Sequence, residues 1–207
     1  MRIDDQRTSR GPGSHDAGSV TEVAFRLFRA RGYEATSVDQ IARELGVTKA
    51  AIYHHLAGKE AILAAGSNRA IHALTAVLEE GPALPGAGSP LERFEYILRR
   101  TLEVGLEHLD EVTVLLRLRG NTELEREMLD RRRAFDRAVA EVMQEAVDAG
   151  ALPADTDALL MTRLIMGMNN WLTEWYQPDG ALSADAVIDT VCRFAMAGLT
   201  APGTPGR

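Results

Sequence analysis

Apolar residues along this chain recur every three or four positions, the spacing that places side chains on one face of an α-helix. No stretch shows the strict apolar and polar alternation of a half-buried strand, and no segment repeats. Together with the breaks at Gly and Pro, the pattern predicts an all-α fold. The approximate helix bounds are 19–31, 37–45, 48–55, 59–80, 90–109, 112–118, 122–149, 155–176 and 183–199.

Capping residues indicate where the first three helices begin. Ser19 and Ser37 each precede a Glu or Gln by three residues, which is the spacing of a capping box. Thr48 is the expected N-cap of the third helix. Gly46 lies between the second and third helices, and two short helices joined by a tight turn containing glycine are typical of a helix-turn-helix.

The chain divides into four predicted segments. Residues 1–18 are rich in Gly, Ser, Arg and Asp and have little apolar content, so we expect a disordered arm. A three-helix helix-turn-helix domain follows at 19–58, and a six-helix body at 59–200. Residues 201–207 form a Pro- and Gly-rich flexible tail.

Charge is unevenly distributed along the chain, and this bears on which segment binds a partner. The net charge is −7, but residues 1–59 carry nine Lys/Arg against seven Asp/Glu. A mildly basic first segment on an acidic body indicates that only the first segment meets a polyanion. We expect a cytosolic protein without a membrane partner, since no apolar run reaches the roughly 20 residues that span a bilayer and no secretory signal precedes the first helix. A single cysteine excludes an internal disulfide and a Cys-rich zinc site.

Residues 48–60, TKAAIYHHLAGKE, contain both lysines of the chain and a histidine pair. At about 100° per residue, with Ile52 toward the core, Ala50, Tyr53 and His54 point outward and Lys49 lies on the exposed first turn. A recognition helix that enters a major groove has this shape. Lys59 follows at the start of the next helix, where its charge and the free amides of that helix can share one phosphate. The alternative is that the lysines are ordinary solvated surface charges.

The histidine pair also raises the hypotheses of a metal site and of a catalytic site. His54 and His55 are neighbours on a helix, so their side chains diverge by about 100° and do not converge on one ion. No cluster of cysteines or carboxylates supplies the other ligands, and no nucleophile with an orienting acid stands nearby. We therefore expect no metal, no cofactor and no enzymatic activity.

The segment AFRLFRARGYEATSVDQIARELGVTKAAIYHHLAGKEAIL, residues 24–63, resembles the DNA-binding head of TetR-family transcriptional repressors. The matching features are the aromatic-rich first helix, the TSVxxIA motif, the Gly-Val turn and the YxH motif followed by lysine. Leu56 departs from the family, which often has Phe there. The resemblance implies base contacts at 48–51 and 53, with phosphate contacts around them. The DNA-binding residues it implies are Ser37, Val38, Thr48, Lys49, Ala50, Ala51, Tyr53, His54, His55 and Lys59.

Residues 161–176 are apolar on nearly every side, which predicts a helix buried all round by its own core and by a second subunit. Its polar and methionine side chains are candidates for a ligand site, although they could instead pair across a dimer or with backbone carbonyls. The candidate ligand-binding residues are Arg117, Met161, Arg163, Met166, Asn169, Asn170 and Trp171. The candidate dimer residues, expected on the last two helices, are Trp175, Val187, Val191 and Phe194.

The body from LLRLRG at 115–120 to WYQPDGALS at 175–183 resembles a TetR subgroup whose members include regulators that answer to CoA thioesters. The resemblance implies a homodimeric repressor on a palindromic double-stranded operator, released when an effector tilts the helix that starts at Lys59. The effector would be an acyl-CoA or, as the alternative, another hydrophobic compound. A third hypothesis is a helical adaptor that binds no DNA. The arginines that could meet CoA phosphates are Arg117, Arg119, Arg131, Arg132 and Arg133.

Overall fold

The computed structural model describes residues 16–80 and 88–201, and within these residues the chain is helical and has no strand. The all-α prediction is confirmed. The helices are α1 (Ala17–Arg31), α2 (Val38–Leu45), α3 (Lys49–His55), α4 (Lys59–Glu80), α5 (Pro90–Glu107), α6 (Leu109–Arg117), α7 (Glu123–Asp148), α8 (Ala158–Trp175) and α9 (Ala184–Thr200).

The chain forms two compact units, Met1–Gly66 and Ser67–Arg207. We call the described residues of the first unit the head; they comprise α1 to α3 and the beginning of α4. The body is the described part of the second unit, with the rest of α4 and α5 to α9. The boundary between the units lies inside α4 rather than before it. The predicted arm and tail lie outside the described residues, except for 16–18 and 201.

The first helix begins earlier than the sequence predicts. The N-cap is Asp16, whose Oδ1 accepts a hydrogen bond of 2.8 Å from the backbone N–H of Ser19. Ser19 itself lies inside α1, and its hydroxyl donates to the carbonyl of Asp16. The predicted capping box at Ser19 is therefore wrong, because a carboxylate at the N-terminus satisfies the free amides and complements the helix dipole.

The helix-turn-helix prediction is confirmed in the head. Ser37 and Gln40 form the predicted capping box, in which each side chain accepts a hydrogen bond from the other residue's backbone N–H. Gly46 has the left-handed conformation, with φ of 69°, and lets the chain turn sharply between α2 and α3. Thr48 caps α3 by accepting from the N–H of Ala51 at 3.3 Å.

The core of the head forms around fully buried aromatic and aliphatic side chains. Phe25 and Phe28 of α1 meet edge to face at 5.4 Å, and Phe28 meets Tyr33 in the same way at 5.0 Å. Ile41 of α2 and Ile52 of α3 are fully buried beside them. This packing holds α3 to α1 and α2 through Ile52, and the other residues of α3 are exposed.

In the body, α7 packs against α5 and α8, and α5 also packs against α9. Fully or almost fully buried residues such as Phe94, Val139 and Met143 form a continuous apolar core between these helices. α6 begins at Leu109, three residues earlier than predicted, and only His108 separates it from α5. The sequence marks this bend with neither Gly nor Pro, so the predicted boundary was misplaced.

By length and composition alone α4 could cross a membrane, and it is the one such helix among the described residues. Its apolar residues are instead used in the two cores. Ile62 and Leu63 are fully buried in the head, while Ile71 and Val77 are buried in the body. α4 is therefore a core helix of a folded chain.

Candidate functional site

The outward face of α3 is the first candidate site. Ile52 is fully buried, whereas Ala50, Ala51, Tyr53 and His54 are exposed. The predicted orientation of this helix is confirmed. Tyr53 presents nearly half of its surface to solvent, although an aromatic residue of this size would ordinarily be covered. A flat aromatic and polar face with a small N-terminal end suits contact with a groove and its phosphates.

Lys49 is held by a partner that the sequence did not indicate. Its Nζ lies 2.9 Å from Oδ2 of Asp39, an exposed residue of α2. The hydrogen bond to Asp39 and the charge of that carboxylate raise the pKa of the Lys49 ammonium above its usual value. Lys49 thus stays protonated and is oriented on the surface that carries Tyr53. Contact with a phosphate requires that the Asp39 pair be exchanged or shared.

Lys59 has a second role, within the head. Its Nζ donates to the carbonyls of Tyr33 at 3.0 Å and of Glu34 at 3.5 Å, and it lies 4.2 Å from the centroid of the Tyr33 ring. Only about a quarter of the side chain is exposed. These contacts tie the start of α4 to the loop between α1 and α2. Its predicted phosphate contact remains a prediction, and truncation of Lys59 would also loosen this loop.

One predicted DNA contact needs correction. The side chain of Val38 is 8% exposed and belongs to the apolar face of α2, so it faces the core of the head rather than solvent. The neighbouring Ser37, Thr48 and His55 are exposed. Within residues 16–80 and 88–201, no group of three His, Cys, Asp or Glu side chains is placed to hold a metal ion.

The second candidate site is a cavity in the body. The cavity has a volume of about 50 Å³, measured over the positions that the centre of a water molecule can occupy. A single water needs roughly 10–15 Å³ on this measure. The cavity therefore has room for a small group, and larger ligands require it to expand. The lining comes from α4 to α8. The lining residues are Leu74, Thr101, Leu102, Gly105, Leu106, Val112, Leu115, Leu116, Arg132, Phe135, Asp136, Met166, Asn169, Asn170, Leu172 and Thr173.

The cavity contains three of the seven predicted ligand-binding residues, Met166, Asn169 and Asn170. The other four need correction, because their side chains do not line it. Arg117 is exposed and forms an ion pair with Glu174 at 3.1 Å. Met161 is half-buried, Arg163 is exposed, and Trp171 is 66% exposed.

Helix geometry explains why one side of α8 lines the cavity and the other side is exposed. At about 100° per residue, Leu160, Leu164, Trp171 and Trp175 fall within about 60° of one another. All four are exposed, at 51%, 59%, 66% and 43%. Asn169 lies on the opposite side of the helix, with the other cavity residues around it. α8 is therefore apolar on nearly every side but is not buried all round, which corrects the prediction made from its composition.

Two of the predicted dimer residues also need correction. Val187 and Val191 of α9 are 5% and 9% exposed and pack in the core of their own chain. Phe194 is 71% exposed and Trp175 is 43% exposed. The period of α9 places its valines inward and leaves Phe194 exposed, like the four α8 residues Leu160, Leu164, Trp171 and Trp175. We call these five residues the apolar face.

Asp136 and Arg132 are the charged residues of the cavity lining, one turn apart on α7. Burial raises the pKa of the Asp136 carboxyl above its usual value, and the charges of Arg132, Arg163 and Arg137 oppose that rise. Arg132 was predicted only as a possible phosphate contact, and Asp136 was not predicted. No local signal distinguishes Asp136 from the many other acids on this helix, since only packing brings it to the cavity.

Comparison with known proteins identifies the family of the chain. Residues 20–65 match the model for bacterial regulatory proteins of the tetR family, and residues 87–199 match the tetracyclin repressor-like C-terminal domain. This chain belongs to the TetR family. It is thus a DNA-binding transcriptional repressor and not an enzyme, and the resemblance found in the sequence is confirmed.

Individual TetR relatives are similar along most of the chain. The repressor KstR2 of Mycobacterium tuberculosis is 25% identical over 190 residues, which cover 90% of this chain and 94% of that protein. A TetR-family regulator of Streptomyces coelicolor is 39% identical, with a TM-score of 0.79, 93% of this chain covered and 94% of that one. The structure of AibR with isovaleryl coenzyme A and operator DNA is 26% identical, with a TM-score of 0.74 and coverage of 90% and 99%.

Proposed function

We propose that this repressor binds its operator through α3 and is released by a small molecule that enters the body cavity. The exposed face of α3, with Tyr53 and Lys49 on a helix-turn-helix, is the observation that carries the proposal. Thr48, Lys49 and Tyr53 would supply hydrogen bonds to bases. Ala50 and Ala51 would contribute apolar contact with thymine methyl groups, and His54, His55 and Lys59 would meet phosphates.

Replacement of Tyr53 by alanine tests the DNA-binding surface. We expect the affinity for the DNA upstream of the protein's own gene to fall about tenfold, since one base or phosphate contact contributes roughly 1–3 kcal/mol. Gel shifts over a salt series measure this. Because Tyr53 is exposed, its loss should leave helicity and the unfolding temperature unchanged.

A matched control is His72→Ala, which removes an exposed ring from α4 in the body. This variant should bind the DNA like the unchanged protein. Equal affinities for the Tyr53 and His72 variants would contradict the assignment of α3. A protein that retards none of the upstream fragments at low salt would contradict the operator proposal and favour the helical adaptor.

We propose a CoA thioester as the effector, with its acyl group in the cavity. AibR, which is similar over most of the chain, was solved with isovaleryl coenzyme A. The cavity is mostly apolar, and Arg132 in its lining could attract the CoA phosphates. Of the five arginines named for this role, three others are engaged within the body. Arg117 pairs with Glu174, Arg131 bonds Asn68, and Arg133 pairs with Asp130.

Release of the operator by acyl-CoAs tests this assignment. We expect butyryl-CoA, isovaleryl-CoA or octanoyl-CoA to dissociate the complex with upstream DNA, while the corresponding free acids do not. Free acids lack the phosphates that Arg132 would bind, and their carboxylates would meet Asp136. Gel shifts in the presence of each compound measure the release. Dissociation by free acids alone would favour the alternative, a hydrophobic effector without CoA.

The route from cavity to head runs through α6 and α4. Val112 and Leu115 of α6 line the cavity, and the neighbouring Glu111 forms an ion pair with Arg69 of α4. An effector that expands the cavity would displace α6, and Glu111 would draw Arg69 with it. Because α4 continues without interruption to Lys59, a tilt would reach the head. This is a two-state coupling in which the effector favours the form that does not bind DNA.

We propose that the repressor is a cytoplasmic homodimer held together by the apolar face. Large apolar side chains such as Trp171 of α8 and Phe194 of α9 are costly to leave in water. A two-fold dimer also suits a palindromic operator whose half-sites are about 34–36 Å apart.

Phe194→Asp tests the dimer. A carboxylate buried in the interface should weaken association by about tenfold or more, because an unpaired charge there loses its hydration. Sedimentation should show monomers at concentrations where the unchanged protein is dimeric, and operator affinity should fall with dimer content. Arg193→Asp alters an exposed neighbour on α9 and serves as the control. An unchanged dimer in the Phe194 variant would contradict this interface.

A further inference from the structure

Two polar atoms in the cavity lining have no hydrogen-bond partner among the described residues. They are Oγ1 of Thr101 on α5 and Oδ1 of Asn169 on α8. The side chains are 8% and 9% exposed, and both residues line the cavity. A buried polar atom without a partner is costly, so such an atom calls for a water or a ligand group that bonds it.

Thr101 differs from the other helical threonines of this chain. Thr113 and Thr190, for example, donate their hydroxyls to the carbonyl four residues earlier, at 2.6 and 2.7 Å. Thr173, which also lines the cavity, donates to the carbonyl of Asn170 at 2.8 Å. The hydroxyl of Thr101 makes no bond of this kind within the described residues. It is therefore available to a ligand both as a donor and as an acceptor.

The amide of Asn169 is oriented by a methionine. Its Nδ2 lies 3.8 Å from Sδ of Met166, one turn earlier on α8. Sulfur accepts weakly and does not donate, so this contact places the NH₂ group toward Met166 and leaves Oδ1 without a bond. A carbonyl oxygen only accepts, and a group that satisfies it must carry a donor.

The acceptor oxygen of Asn169 argues against an anionic group beside these atoms, because a carboxylate or phosphate without a proton cannot donate to it. Asp136 lines the cavity, and the charge of Arg132 on the same helix acts on it. A carboxylate placed there would meet Asp136 and could donate nothing to Asn169. A ketone or thioester carbonyl could accept from Thr101 but would leave Asn169 unsatisfied. A hydroxyl does both, because it donates once and accepts in two directions.

We infer that the effector carries an uncharged hydroxyl group on its apolar part, which donates to Oδ1 of Asn169 and accepts from the hydroxyl of Thr101. This inference rests on the proposal that the cavity is the effector site. The limited cavity volume favours a short acyl chain or a single ring at this position. The remainder of a larger effector would extend beyond it.

Calorimetry with the full chain tests the inference with two sets of matched probes. Butyryl-CoA, 3-hydroxybutyryl-CoA and acetoacetyl-CoA differ only at the third carbon of the acyl group. Toluene, benzyl alcohol and benzoate make the same comparison without CoA. We expect the hydroxylated member of at least one set to bind about tenfold more tightly than its partners, since a site built for a hydroxyl rejects analogues that lack it.

Variants of the two threonines sharpen the test. Thr101→Val removes the free hydroxyl without changing the volume, and should reduce the preference for the hydroxylated probe to about threefold or less. Thr173→Val is the matched control, because that hydroxyl is engaged with the backbone, and it should retain the preference. Asn169→Leu should remove the preference as Thr101→Val does.

The outcomes separate this inference from the proposed function when operator release is measured with the same compounds. Lack of preference for either hydroxylated probe would overturn the inference, as would an equal loss of preference in the two threonine variants. If all members of a set then released the operator, that result would still support the proposal that the cavity is the effector site. Conversely, a hydroxyl preference without operator release would support the inference about the cavity chemistry and contradict its role as the effector site.

Discussion

Glu125→Ala is expected to destabilise the body by about 3 kcal/mol or more. Its Oε2 accepts backbone hydrogen bonds from Arg119 at 3.1 Å, Gly120 at 2.9 Å and Asn121 at 3.1 Å. The residue is only 2% exposed, so water cannot readily replace the carboxylate. Unsatisfied buried donors cost roughly 1–3 kcal/mol each, and bonds to a charged acceptor are stronger than neutral ones.

Chemical denaturation followed by circular dichroism measures this loss, and the unfolding temperature should fall by roughly 5–10 °C. Glu127→Ala removes an exposed carboxylate two residues further along α7 and should change stability by less than about 0.5 kcal/mol. Glu125→Gln retains an acceptor oxygen without the charge, and its stability should lie between those of the two alanine variants. If the alanine variants at 125 and 127 were equally stable, the loop would not depend on this carboxylate.

The loop held by Glu125 joins α6 to α7, and both helices line the cavity. We therefore expect the Glu125→Ala protein to bind effector more weakly even at temperatures where it remains folded. The position of α6 would no longer be fixed at its C-terminal end. DNA binding should be less affected, since the head has its own core.

Gly66→Ala is expected to destabilise the head by about 2 kcal/mol, although alanine normally favours helices. A Cβ at this position would come within 2.8 Å of Cδ2 of Phe25 and still closer to Cε2 and Cζ. Phe25 is fully buried, so its ring cannot move aside without disturbing the core. Overpacking costs about 1–3 kcal/mol or more, which exceeds the roughly 1 kcal/mol that alanine contributes to helix propensity.

The control is Gly105→Ala in α5, where an added Cβ meets nothing within 4 Å. That variant should be more stable by about 0.5–1 kcal/mol. A double-mutant cycle of Gly66→Ala with Phe25→Leu should show that the two changes are not additive, because a smaller side chain removes the clash. A stabilised Gly66→Ala protein would contradict the close approach of α4 to Phe25.

Much of the fold is encoded locally and was predictable. The capping box at Ser37, the left-handed turn at Gly46 and the cap at Thr48 depend on residues within three or four positions of one another. The predictions failed where local signals compete or are missing. Asp16 caps α1 in place of Ser19, and the bend at His108 carries no helix-breaking residue.

The exposed face of α3 was more predictable than the cavity for the same reason. All of α3 is a single short helix whose inward residue, Ile52, identifies its outward side. The cavity instead combines residues from Leu74 to Thr173 on five helices. The apolar pattern of a single helix predicts whether Thr101 or Asp136 faces inward or outward. It does not predict that these two residues line the same cavity.

The sequence by itself determined the helices, the helix-turn-helix and the exposed side of α3, because these follow from helical period, capping and turn chemistry within short segments. Only the tertiary structure decided which side of α8 lines a cavity and which side is left exposed. The composition of α8 is apolar on both sides, so only long-range packing distinguishes Asn169 from Trp171. The same packing leaves Thr101 and Asn169 with unused hydrogen-bonding atoms, which no sequence pattern reveals.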